Sequence, residues 1–122
     1  MSKKVLIVED NEQNRILMRM ILRHLQCELL EAVNGEEGIR LAKEQKPDLI
    51  YMDIQMPLMD GLTATKILKG DPKTKDIKII IVTSYAMKGD RERALEVGAD
   101  GYITKPINIS EIEEITKRFL GL

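Results

Sequence analysis

Three short stretches of this chain are apolar on both faces: "KVLIV" (4–8), "LIYM" (49–52) and "IKIIIV" (77–82). A strand with one wet face alternates polar and apolar residues, so strands without alternation must be covered on both sides, as central strands of a parallel sheet are. Between them lie segments of helical period. "RILMRMILRHL" (15–25) carries Leu17, Met18, Ile21, Leu22 and Leu25 on one stripe. "NGEEGIRLAKEQ" (34–45) opens with Asn34 as a cap and is broken by Pro47-Asp48. Further helices are expected near 63–69, near 88–97 and from about Asn108 to Leu120, where Asn108 and Glu111 have capping-box spacing.

Two more strand candidates, "CELLEAV" (27–33) and "GYIT" (101–104), carry Glu28, Glu31 and Thr104 and read as edges. Five β-α units in succession imply an α/β fold, a five-stranded parallel sheet with helices on both faces. The order 2-1-3-4-5 of flavodoxin-like sheets puts those two strands at the edges and the topological switch point between the first and third strands. That order is matched to known sheets rather than forced by the residues.

At 122 residues the chain has room for one core. Nineteen basic and twenty acidic side chains give a formal net charge of -1, which leaves no electrostatic footprint for nucleic acid. Cys27 is the single cysteine, so no internal disulfide can form, which suits a cytoplasmic protein. No apolar run is long enough to span a bilayer, and no membrane association is expected.

Parallel strands bring their carboxyl ends to one edge of the sheet, where open α/β sheets bind ligands. Leaving the strands there are Glu9-Asp10, Asp53, Thr83-Ser84 and Lys105-Pro106. A carboxylate at the end of a buried strand must be exposed at an edge, paired, or bound to a cation. Two carboxylates about 4 Å apart repel by roughly 4 kcal/mol at an effective dielectric near 20, and a third adds to that. Lys105 offsets part of the repulsion. A hard divalent ion offsets more, and a set of oxygen ligands suits magnesium better than zinc. A carboxylate, a lysine, a hydroxyl and a magnesium site together are equipment for phosphoryl transfer, with Asp53 as nucleophile.

Four motifs in order, "VEDN" (8–11), "MDIQMPLMDG" (52–61), "IIIVTSYA" (79–86) and "GADGYITKPI" (98–107), make the whole chain resemble the receiver domain of two-component response regulators. The stretch from 86 to 107 is most similar to single-domain regulators of the DivK type and to receivers attached to hybrid kinases. The resemblance implies that Asp53 accepts a phosphoryl group from a phosphohistidine on a histidine kinase or histidine phosphotransfer domain. It implies magnesium bound by Asp10 and Asp53, by Glu9 through water, and by the backbone carbonyl of Gln55. Lys105 would pair with the phosphoryl oxygens, the Thr83 hydroxyl would move to bond one of them, and Tyr102 would turn inward in response. The Lys105-Pro106 bond is expected to be cis. Gln55 and Tyr85 occupy positions that set phosphoryl lifetime, and Ser84 stands where the family commonly has alanine. Ile16 and Met20 on the first helix, with Pro106 and Ile107 after the last strand, are expected to dock the phosphodonor.

The resemblance also implies no turnover of an external substrate, only self-directed phosphoryl acceptance and slow autodephosphorylation. The chain is expected to be one receiver domain over 1–122 with no output domain. It would be a monomer, or a dimer when phosphorylated, and would signal to a downstream protein target by contact or by onward phosphotransfer. Three rivals compete with this reading. A haloacid-dehalogenase-type phosphatase needs a second carboxylate two residues after the nucleophile, where this chain has Gln55. A flavin binder needs a phosphate-cradling loop after the first strand, where Glu9-Asp10-Asn11-Glu12 would repel phosphate. A degenerate receiver acting only as a binding module would not keep the full acidic set and Lys105.

Overall fold

A computed structural model describes residues 2–84 and 89–122. Among them, strands and helices alternate: β1 (Lys3–Val8), α1 (Glu12–Leu22), β2 (Cys27–Ala32), α2 (Gly35–Gln45), β3 (Leu49–Asp53), α3 (Gly61–Lys69), β4 (Lys78–Thr83), α4 (Asp90–Glu96), β5 (Gly101–Thr104) and α5 (Ile109–Leu120). The strands pair in parallel in the expected order β2-β1-β3-β4-β5, which is consistent with the edge and centre assignments.

Because successive strand residues point to opposite faces, the apolar runs divide cleanly between two cores. Val5, Ile7, Leu49, Tyr51, Ile80, Val82 and Ile103 meet Met18, Ile21 and Leu22 of α1 and Ile112 and Leu120 of α5. Leu6, Val8, Ile50, Met52, Ile79 and Ile81 meet Ala42 of α2, Ala64 and Leu68 of α3 and Ala94 of α4. Tyr51 also ties β3 to α5, its hydroxyl 2.6 Å from Thr116 Oγ1.

Helix boundaries differ from the sequence reading where a cap starts the helix ahead of the residues the reading began with. α1 starts at Glu12 rather than near 15, because Asn11 caps it by accepting from the Asn14 amide. α1 also ends at Leu22, although Leu25 stays buried beyond it. α3 starts at Gly61 rather than 63, capped by Asp60 through the Thr63 amide. Asn34 and Asn108 cap α2 and α5 as their spacing predicts. α2 closes on Lys46 in a left-handed conformation (φ 48°), just ahead of Pro47. β4 runs one residue further than expected, so Thr83 belongs to the strand rather than to the loop. The helix expected near 88–97 spans Asp90–Glu96.

Register brings the strand ends level. Val8 pairs with Met52, Asp53 with Val82, and Thr83 with Thr104. The residues that follow these pairs gather at the carboxyl edge. Gly61 fixes the return of the chain there, since a Cβ at this position would lie 2.1 Å from the Asp53 carbonyl oxygen. Only glycine lets α3 start so close to β3.

Candidate functional site

Among the described residues, Glu9, Asp10 and Asp53 bring carboxylate oxygens within 4.8 Å of one another. Glu9 and Asp53 are buried, whereas Asp10 is exposed at the mouth. Lys105 reaches in from the end of β5, its Nζ 2.7 Å from Glu9 Oε1 and 3.4 Å from Asp53 Oδ2. The Asn11 amide donates to Glu9 Oε2 at 3.2 Å, and the Gln55 amide donates to Asp53 Oδ1 at 3.3 Å. The carboxylate at the end of the buried strand is therefore paired and hydrogen-bonded, at the rim of the core.

Three acids and one amine do not balance, and the excess shows in proton affinity. Burial, then the hydrogen bond and the charge of Glu9, push the Asp53 carboxyl up to about 7. Burial would also raise Glu9, but its hydrogen bonds with Asp53, Lys105 and the Asn11 amide outweigh that and hold it below the usual range. Asp10 is raised by burial and by Glu9. Burial would lower Lys105, yet its two carboxylate partners hold it above the ordinary lysine range. With Glu9 ionised beside Lys105, Asp53 is the acid of the pair that holds a proton more readily. The donor set is all oxygen and, with all three acids ionised, short of two positive charges, which fits magnesium and does not suit zinc.

The remaining predicted residues adjoin this cluster to different degrees. Thr83 is fully buried at the end of β4, and the Gln55 side chain reaches it, Nε2 donating to Thr83 Oγ1 at 2.7 Å. Ser84 is exposed, and its amide donates to Gln55 Oε1 at 3.2 Å. Tyr102 stands apart from the acids, half-buried against the core beneath α2, α3 and α4, and paired in register with Ile81. The Lys105-Pro106 bond is cis. Ile16 and Met20 are exposed on α1, and Pro106 is exposed after β5. Ile107 is half-buried and packs against the α1–α5 core. Tyr85 lies outside the described residues.

Sequence reasoning missed Arg15. Its Nη1 donates to the carbonyls of Glu9 at 2.8 Å and Asp10 at 3.0 Å, fixing the turn that presents both acids. Arg15 and Arg19 also converge on Glu31 of β2, which joins that turn to the edge strand. No local pattern announces such a contact, because it spans a loop and a neighbouring strand.

The model of the response regulator receiver domain family matches residues 5–117. The chain belongs to that family. The polar-differentiation response regulators DivK of Brucella anthropi and Brucella ovis are each 46% identical to it over 121 residues, covering 99% of this chain and 98% of theirs. A putative response regulator from Chloroflexus aurantiacus has the same fold, with a TM-score of 0.92 at 27% identity and full coverage of both chains. The receiver domain of the sensor histidine kinase PA1611 from Pseudomonas aeruginosa, whose structure has a magnesium ion coordinated in the active site cleft, matches with a TM-score of 0.90 at 32% identity, again over both whole chains. As a receiver, the protein is a phosphorylation-controlled switch of two-component signalling. Receiver domains work with histidine kinases or phosphotransfer proteins and with downstream targets. No helix among the described residues is long and apolar enough to cross a membrane.

Proposed function

We propose that Asp53 is the phosphoacceptor of this receiver. The observation that carries the reading is the convergence of Glu9, Asp10 and Asp53 within 4.8 Å beside Lys105. Asp53, once deprotonated, attacks the phosphorus of a partner phosphohistidine. An O–P bond forms, the N–P bond breaks, and the imidazole nitrogen keeps the electron pair and takes up a proton from water. Glu9, Asp10, Asp53 and the Gln55 carbonyl are the residues that would hold magnesium. The bound ion would supply positive charge against the three acids and the phosphoryl oxygens. Lys105 moves its charge from the Glu9–Asp53 pair to the new phosphoryl oxygens.

The Thr83 hydroxyl is the group that answers the new charge, since a hydrogen bond to a charged acceptor contributes roughly 1.5–3 kcal/mol. As Thr83 moves toward Asp53, space opens beside β5 on the side where Tyr102 packs, and the ring turns inward. The α4, β5 and α5 face then changes shape and carries the signal to a protein target, or the phosphoryl group passes on. Hydrolysis back to the free carboxylate is slow, and no external substrate is turned over. Phosphodonor docking falls to Ile16, Met20, Pro106 and Ile107. The reading places the protein in the cytoplasm, as a monomer or as a dimer when phosphorylated.

The test is transfer from partner phosphohistidines. Isotope-labelled histidine kinases and phosphotransfer domains should pass label to the wild type within seconds to minutes for the cognate donor. Thr83→Ala should take up label equally well yet lose most of the response at Tyr102 and residues 90–96. A wild-type chain that stays unlabelled by every donor of its own cell would overturn the assignment.

A further inference from the structure

Gln55 does more than follow the acceptor in sequence. The Ser84 amide can only donate, so the atom that faces it at 3.2 Å is Oε1, and this fixes the orientation of the whole side-chain amide. Nε2 is then the atom 2.7 Å from the Thr83 hydroxyl oxygen. At the same time the Gln55 main-chain amide touches Asp53 Oδ1 at 3.3 Å. One residue on the β3–α3 loop thus contacts the acceptor carboxylate with its backbone and grips the end of β4 at two points with its side chain. Thr83 is fully buried, so this contact is shielded from bulk water.

We propose that Gln55 is a positioning residue that clasps Thr83 and the Ser84 amide in the unphosphorylated protein. Thr83 then swings toward a phosphoryl group only as the clasp opens. The inference rests on the reading of Asp53 and Thr83 given above and extends it. The sequence position of Gln55 implies a part in phosphoryl lifetime, which is a rate, whereas the clasp sets the equilibrium between the two states of the switch. A ligand that favours one state binds with an apparent affinity reduced by the fraction of protein in that state, so loosening the clasp raises affinity for any phosphoryl mimic.

Gln55→Met keeps the size of the side chain and the main-chain groups while removing both amide contacts. Gln55→Ala is the second variant should Met pack badly. The measurement is a beryllofluoride titration at saturating magnesium, followed by NMR at the backbone amides of residues 54–56, in wild-type and Thr83→Ala backgrounds. In the wild-type background the midpoint should fall about three- to tenfold, from the loss of one or two hydrogen bonds. The resonances of Tyr102 and residues 90–96 should already be displaced toward their beryllofluoride positions before any mimic is added. In the Thr83→Ala background the same substitution should lower the midpoint much less, because only the Ser84 amide contact is left to lose. An unchanged midpoint and unshifted free spectrum in the wild-type background would overturn the clasp. An equal fall in both backgrounds would overturn it too, since Gln55 would then act on Asp53 without Thr83. A wild type that does not respond to beryllofluoride would remove the reading of Asp53, and the clasp with it, a result distinct from the other two.

Discussion

Lys105 Nζ lies 2.7 Å from Glu9 Oε1 and farther, 3.4 Å, from Asp53 Oδ2. The amine's nearer partner is thus Glu9, whose carboxyl is held below the usual range, and Asp53 takes the weaker share of its charge. Lys105 is a built-in cation against the buried acids.

Removing that charge should be felt before any phosphoryl group arrives. Lys105→Met leaves buried Glu9 without its amine, and a hydrogen bond between charged groups contributes roughly 1.5–3 kcal/mol. Urea denaturation at neutral pH without magnesium should show a loss of that size, and saturating magnesium should restore part of it. A loss under about 0.5 kcal/mol would mean the pair is no more than a surface ion pair.

The pH dependence follows from the opposite shifts of the two buried acids. Asp53 is raised from an ordinary 3.8 to about 7, so between those values the folded chain holds a proton that the unfolded chain has lost. Stability of the metal-free protein should therefore fall as pH rises from about 4 to about 7, by at most about 1.4 kcal/mol per unit. Glu9 is lowered from 4.5, so its contribution is present above that value and is lost only in stronger acid. Magnesium must displace the Asp53 proton, so its apparent affinity should climb about tenfold per unit up to pH 7 and then level off. Calorimetric titration of magnesium from pH 5.5 to 8.5 reads this directly, and a flat profile would contradict it.

Gly61 gives a third expectation. With a Cβ 2.1 Å from the Asp53 carbonyl, Gly61→Ala must push the start of α3 away from β3. Overpacking of this kind costs roughly 1–3 kcal/mol. Thermal unfolding should register the loss, and magnesium affinity should fall with it, because the same loop carries the Gln55 amide that holds Asp53. A variant with wild-type stability and metal binding would show that the loop has room to spare.

The strands were legible because period and burial are local: "VLIV", "LIYM" and "IIIV" can only be central, and Glu28 and Glu31 can only be tolerated near an edge. The acidic cluster followed from topology, since parallel strands deliver Glu9 and Asp53 to one rim. Helix starts were harder. Asn11-Glu12 and Asp60-Gly61 carry capping chemistry, but a search for apolar stripes passes over the polar turn after Asn11 and over Gly61. Contacts between elements were out of reach. The grip of Gln55 on Thr83, and that of Arg15 on the carbonyls of Glu9 and Asp10, depend on how a loop lies across a strand end.

The central claim is that Asp53 is the group that takes the phosphoryl. It is tested most directly by intact-mass measurement after incubation with a small acyl-phosphate donor and magnesium. The wild type should gain one base-labile phosphoryl group, chelation of magnesium should suppress the gain, and Asp53→Asn should show none. Asp53→Asn labelled to the same extent as the wild type would contradict the account.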